Sequence, residues 1–168
     1  MSPVAVHDPG DALRRALDLV VPPGARCLLD TSVLLAHVTG TEGISWAATR
    51  IVDEYLASGR NVGFISSVTL GEMLVRPMQV GGRAARTMVD MVWSMEGLSV
   101  KTADDLVAIE AARARAGTGI RMSDAMIVAT AALTSSSVLI TNDRVMATAV
   151  AQVLPELRVV LLSEVAAV

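Results

Sequence analysis

Short apolar runs alternate along the chain with stretches whose apolar positions recur every three or four residues, and this alternation predicts strands separated by helices. Asp11 to Val20 carries Leu13, Ala16, Leu17 and Val20 at helical spacing, and Pro22-Pro23-Gly24 closes that helix. The apolar run Arg26-Cys27-Leu28-Leu29 then predicts a buried strand that stops abruptly on Asp30-Thr31-Ser32, after which Val33 to Val38 resumes as helix. Ile44, Ala47, Ala48, Ile51, Val52, Tyr55 and Leu56 mark a one-faced helix ended by Ser58-Gly59-Arg60-Asn61. Asn61 to Ser66 predicts a second strand, and Ser66-Ser67 caps a helix carrying Leu70, Met73 and Leu74 that Pro77 is expected to end. Past Gly81-Gly82 a longer helix carries Ala85, Met88, Val89, Val92 and Trp93. Gly97 to Lys101 predicts a third strand, and Thr102 opens a helix through Ala116, with Thr102 and Asp105 spaced as an acidic capping box. After Gly117-Thr118-Gly119, Met122 to Thr134 forms an almost wholly apolar helix whose single charge is Asp124. Ser135 to Thr141 is a fourth strand, Asn142-Asp143 a turn, Val145 to Val153 a helix and, beyond Pro155, Leu157 to Leu162 a fifth strand.

Strands alternating with amphipathic helices imply right-handed parallel crossovers, hence the α/β class and a three-layer α/β/α sandwich with a parallel sheet of about five strands. The 168 residues suit one domain. Residues 1–24 read as a helical appendage and residues 25–168 as the domain itself. In such folds ligands bind beyond the carboxyl ends of the strands. Asp30 and Asp143 lie just past strand ends, while Glu72 and Asp124 lie in the early turns of helices that start at the same rim. Four acids are therefore expected on one edge.

Composition narrows the chemistry. The hydrophobic fraction is 52%, yet Pro, Gly or charge interrupts every apolar stretch, well before the roughly 18 residues that span a bilayer. The first ten residues carry His7 and Asp8 and lack the basic and apolar regions of a secretory signal, so no membrane association and a cytoplasmic location are expected. The only cysteine, Cys27, lies inside an apolar strand and reads as a core residue; with His7 and His37 the only histidines, any metal must be bound by oxygen. A net charge of -3 argues against coating nucleic acid with bulk positive charge, though not against an enzyme acting on it. Only Trp46, Tyr55, Phe64 and Trp93 are aromatic, too few for a base-stacking platform.

Each acid has an ordinary structural reading. Asp124 and Asp143 suit helix N-termini, Glu72 completes a Thr69-x-x-Glu72 capping box, and Asp30 could cap the helix after it. Capping, however, gains nothing from gathering all four on one rim, where uncompensated carboxylates repel and resist ionising. A divalent cation removes that conflict, and Mg²⁺ or Mn²⁺ suits an all-oxygen set. Such an ion can lower the pKa of a water, orient it for in-line attack and stabilise charge on a phosphodiester, alone or as one of two. Thr31 and Ser32 start the helix behind Asp30 and are placed to hydrogen-bond its carboxylate or a bound water.

The segments LLDTSVLL, SSVTLGEML, RMSDAMIVATA and LITNDRVM, in that order, resemble the four acidic motifs of the PIN-domain nucleases, especially the VapC-type toxins of bacterial toxin–antitoxin pairs. The resemblance spans Ala25 to Leu162. It implies that Asp30, Glu72, Asp124 and Asp143 form a catalytic and metal-binding quartet, with Asp30 and Asp124 most directly on Mg²⁺ and Thr141 as the hydroxyl beside the last acid. It also implies a five-stranded parallel sheet, a homodimer, an RNA substrate and a cognate antitoxin whose peptide lies across the cleft. Arg121 and Arg144, each near a motif acid, are candidates for phosphate contacts, followed by Arg76, Arg83 and Arg86; solvated surface arginines are the competing reading.

The leading expectation is thus a Mg²⁺-dependent endoribonuclease, the toxin of a toxin–antitoxin pair. A catalytically silent PIN-like scaffold is one alternative. Another is a receiver-like α/β binding module, which wants a lysine after a late strand where this chain has only Lys101, after the third. A phosphatase using an Asp-x-Asp nucleophile is disfavoured because Ser32 stands where its second acid belongs.

Overall fold

A computed structural model of the chain describes residues 9–41 and 43–165. His7 and the expectation drawn from the first residues lie outside the described part. Five strands form one parallel sheet: β1 (Arg26–Leu29), β2 (Val62–Ser66), β3 (Leu98–Lys101), β4 (Val138–Thr141) and β5 (Arg158–Leu161), in the order β3-β2-β1-β4-β5. The chain winds outward from β1 to β3, then crosses back to place β4 on the other side of β1. Connections leaving β1 and β4 therefore diverge, and a crevice opens between their carboxyl ends.

Helices cover both faces. Cys27, Leu29, Ile65, Val138 and Ile140 point to one core with α1 (Pro9–Val20), α2 (Thr31–Thr39), α3 (Ser45–Thr49), α4 (Ser67–Val80) and α5 (Gly82–Ser94). Leu28, Phe64 and Leu139 point to the other, with α6 (Asp105–Thr118), α7 (Met122–Leu133) and α8 (Arg144–Val153). A short α9 (Leu162–Val165) follows β5. Being covered twice is why β1 and β4 read as unbroken apolar runs rather than as alternating ones. Cys27 is fully buried, and burial pushes its thiol up to about 12 against a smaller opposing effect of Arg60.

Local chemistry moved several boundaries. Pro77 does not end α4; the helix runs another turn to Val80, and the stop is Gly81, whose φ of 143° and ψ of 164° belong to glycine. Proline removes one N–H from the ladder, but Pro77 O still accepts the Gly81 N–H at 3.0 Å, so the last turn closes. Thr102 does not open α6. Asp104 is its cap, accepting the Val107 N–H at 3.1 Å. Likewise Ser66 caps α4, which leaves Thr69 inside the helix and dissolves the Thr69-x-x-Glu72 capping box.

The one-faced helix expected over 44–56 is α3 continued by a π-helical stretch, Arg50–Leu56, in which Ala57 N–H reaches back to Val52 O at 3.2 Å. Leu56, at its end, is seated on two glycines: its side chain lies over Gly63 and its carbonyl against Gly97. Helix α1 is bound to the same domain. Leu17 and Val21 are fully buried in the core, and Asp18 accepts the Tyr55 hydroxyl at 2.5 Å while pairing with Arg60 at 3.1 Å.

Gly97 provides a stability test. It has φ +72°, and a Cβ there would stand 2.2 Å from Leu56 O, whereas Gly59, at φ +74°, faces open space. Gly97→Ala should therefore cost more than about 2 kcal/mol and Gly59→Ala only about 1 kcal/mol, read by urea unfolding. Equal losses would show that the Leu56 contact contributes nothing.

Candidate functional site

The crevice between β1 and β4 holds a cleft of about 600 Å³ lined by Asp30, Glu72, Asp124 and Asp143, with Thr31, Ser32, Arg121, Asn142 and Arg144 among its other walls. The fold thus brings to one cleft four acids that lie between 19 and 113 residues from one another along the chain. Their individual settings differ, and each difference has a local cause.

Asp30 occupies the N-cap position of α2, yet its carboxylate does not cap the helix. It is 5% exposed and turns instead toward the sheet end, where Oδ2 accepts hydroxyl protons from Ser32 and Thr141, each at 2.8 Å. The register pairs Leu29 with Ile140, so Asp30 and Thr141 emerge side by side, and Asp30 N–H bonds Ile140 O at 3.0 Å. Thr141 is fully buried and reaches the site through Asp30.

Asp143 behaves as the capping reading expects: Oδ1 accepts the Val145 and Met146 N–H groups at 2.7 and 3.1 Å, fixing the start of α8. Glu72 lies exposed in the second turn of α4, where Oε2 accepts the Thr31 hydroxyl at 2.5 Å. Asp124 lies in the first turn of α7, with Ser123 donating to Oδ1 at 3.3 Å and Arg121 Nε 3.4 Å from Oδ2. Burial holds the Asp124 carboxyl above its ordinary range, with Arg121 and Ser123 opposing the shift and Asp143 and Asp30 adding to it. Asp124 is thus within electrostatic reach of Asp143 and Asp30.

Among the described residues no three acidic, histidine or cysteine side chains form a ready ligand cage. The donors nevertheless fit a hard divalent ion, because Mg²⁺ is commonly held by one or two carboxylates and keeps several waters. Asp30 is buried and Asp124 partly so, and among the described residues the one guanidinium paired with Asp124 belongs to Arg121, which is 81% exposed.

Arg144 also lines the cleft but is paired with Glu164 of α9 at 3.0 Å. Arg76 and Arg83 are elsewhere: they rim a neighbouring apolar groove of about 1220 Å³ between α2, α4 and α5, lined by Leu35, Met73, Val80 and Met88, that meets the cleft at Leu35 and Glu72. Arg86 is exposed on α5. Lys101 stands over the Phe64 ring at 5.2 Å, beside Arg26 in a different cavity. Sequence reasoning missed Asn142 and Glu164 as neighbours of the site. Asn142 Oδ1 accepts the Ser163 N–H at 3.1 Å, a contact across 21 residues that no local pattern announces.

A family model described as PIN domain matches residues 27–151. No curated protein matches the sequence. Solved structures share the fold: VapC20 of Mycobacterium tuberculosis, a sarcin-ricin loop cleaving toxin, has TM-score 0.60 and 18% identity over 73% of this chain and 94% of its own. VapBC2 of Rickettsia felis, bound to a DNA fragment from its promoter, has TM-score 0.58 and 15% identity over 80% and 96%. DNA-bound VapBC of Salmonella typhimurium has TM-score 0.56 and 21% identity over 81% and 97%.

The raised Asp124 carboxyl has a sign that can be checked. At neutral pH its charged form is disfavoured by the fold, so in excess EDTA Asp124→Asn should raise the melting temperature at pH 7. The gain should shrink as pH falls toward the ordinary carboxylate range, where the wild-type group takes up a proton and its penalty vanishes. A lower melting temperature at pH 7 would mean that the Arg121 pair outweighs burial.

Proposed function

The chain belongs to the PIN domain family, and on that premise we propose that it is a divalent-cation-dependent endoribonuclease acting as the toxin of a toxin–antitoxin pair. The observation that carries this reading is the gathering of Asp30, Glu72, Asp124 and Asp143 around one open cleft at the point where β1 and β4 diverge. RNA is the substrate class because a structural relative is a sarcin-ricin loop cleaving toxin. An RNA substrate and a lone buried Cys27 suit a cytoplasmic setting; among the described residues no helix is long and apolar enough to cross a membrane.

In this reading Asp30 and Asp124 hold the cation, with Asp143 and Glu72 completing its surroundings from the other walls. Bound there, Mg²⁺ or Mn²⁺ supplies an attacking water of lowered pKa and charge stabilisation for the phosphodiester. Thr31 orients Glu72 through the 2.5 Å hydrogen bond, so that the carboxylate can take a proton from the attacking side. Asp143 keeps Oδ2 for the cleft because Oδ1 is committed to the α8 backbone. Arg121 and Arg144 offer guanidinium groups to substrate phosphate, Arg144 by exchanging its Glu164 partner for the anion. Arg76 and Arg83 are assigned instead to the groove.

That groove supports the partner half of the proposal. It is apolar, adjoins the acids at Leu35 and Glu72, and carries Arg76 and Arg83 at its rim, as suits an antitoxin peptide laid across the cleft. Structural relatives include VapBC proteins solved bound to DNA and a toxin–antitoxin complex from Klebsiella pneumoniae, which fits such a partner. The exposed Trp93, Val75, Met78 and Val80 provide apolar surface for a homodimer or that partner. A receiver-like module fits less well, because Lys101 is turned to Phe64 rather than to Asp30.

Asp30→Asn should lower cleavage of a structured RNA probe by at least about 100-fold, reflecting the several kcal/mol of charge stabilisation that a metal site contributes. The variant should keep the wild-type far-UV circular dichroism. Full cleavage by Asp30→Asn, or by the wild type in excess EDTA, would overturn the nuclease reading and leave a silent scaffold.

A further inference from the structure

Ser32 is the second residue of α2, yet neither of its hydrogen bonds goes to that helix's backbone. Its hydroxyl donates to Asp30 Oδ2 at 2.8 Å and accepts the Asn142 N–H, from the turn after β4, at 3.0 Å. Thr141 is connected in the same way: it donates to the same Oδ2 at 2.8 Å and accepts the Asp143 N–H at 3.0 Å. A hydroxyl has one proton and two lone pairs. A backbone N–H accepted from the turn fixes the rotation of each hydroxyl and sends its single proton to the carboxylate.

Both protons fall on Oδ2, and among the described residues no donor is assigned to Oδ1. Such asymmetry is unnecessary for simple burial of a carboxylate, which two donors could satisfy one per oxygen. It is what a group needs in order to present one oxygen, in one direction, to something outside the protein. The turn that supplies the N–H groups is itself anchored, because Asn142 Oδ1 accepts the Ser163 N–H at 3.1 Å and so ties it to α9.

We propose that Ser32 is a positioning residue which, bonded to Asp30 Oδ2 and to the Asn142 backbone, holds Asp30 with Oδ1 free for a divalent cation in the cleft. The role rests on the cation reading given under Proposed function. Thr141 forms the other half of the clamp, but it is fully buried, and its replacement would also disturb the β4 end. Ser32, only half-buried, can be changed with less disturbance.

The test titrates Mn²⁺ into the full chain, stripped of cations, by isothermal titration calorimetry for the wild type, Ser32→Ala and Ser32→Thr, with thermal unfolding in EDTA alongside. Ser32→Ala should bind Mn²⁺ about 10- to 100-fold more weakly, as loss of a ligand's hydrogen-bond partner typically does, while Ser32→Thr, which keeps the hydroxyl, should stay close to wild type. If Ser32→Ala does not fold, Ser32→Cys, a weak donor of similar size, replaces it with the same expectation. Unchanged Mn²⁺ affinity in the hydroxyl-free variant, or equal losses in it and in Ser32→Thr, would overturn the role. A wild-type chain that binds no Mn²⁺ would be a different failure, removing the cation reading and this role together.

Discussion

The carboxylate of Asp30, gripped at one oxygen between the ends of β1 and β4, is the constraint around which the site is arranged. It exists because the sheet reverses its winding between those two strands, so that helices leave them in opposite directions and the space between stays open. A helix N-cap acid ordinarily spends its oxygens on the first N–H groups of its helix. Asp30 occupies that position and does not. The hydroxyls of Ser32 and Thr141 take its place as the local hydrogen-bonding economy of the strand ends, and the backbone of the 142–143 turn holds both hydroxyls in line.

Around this fixed point the other acids are held with different degrees of commitment. Asp143 gives one oxygen to α8, Glu72 is tied to α2 through Thr31, and Asp124, although paired with Arg121, has its carboxyl raised by burial and by its acidic neighbours. An arrangement selected for stability alone would have separated these groups or matched each with a cation. Among the described residues only Arg121 pairs with Asp124, and it does so from solvent. Like charges gathered at a cost to the fold are the physical signature of a site that something else completes.

The cleft is also continuous with its surroundings. An apolar groove of about 1220 Å³, walled by α2, α4 and α5, runs up to it and shares Leu35 and Glu72. The turn of α4 beyond Pro77 belongs to that wall through Val80 and Gly81, so the extra turn shapes the groove as well as lengthening the helix. Helix α9 holds the 142–143 turn and the start of α8 through Asn142 and Arg144. The first and last described helices are thereby joined to the sheet's core, α1 by Leu17, Val21 and Asp18, and α9 by these contacts.

Much of this was legible in the sequence. Apolar runs such as Cys27-Leu28-Leu29 and Val138-Leu139-Ile140 determine strands buried on both faces, and three-and-four periodicity determines the helices between them, because burial acts on the nearest residues along the chain. The four acids were legible as strand-end and helix-start residues for the same reason. Which oxygen of Asp30 is bound, that Glu72 answers to Thr31 rather than to Thr69, and that Asp104 rather than Thr102 caps α6 were decided only in three dimensions. Those outcomes depend on hydrogen bonds between groups as far apart as 111 residues. Such bonds need distance and direction to be met at once. Periodicity carries the first-order preference of each segment for core or solvent, but it carries no information about where two side chains from separate strands point when the sheet has closed.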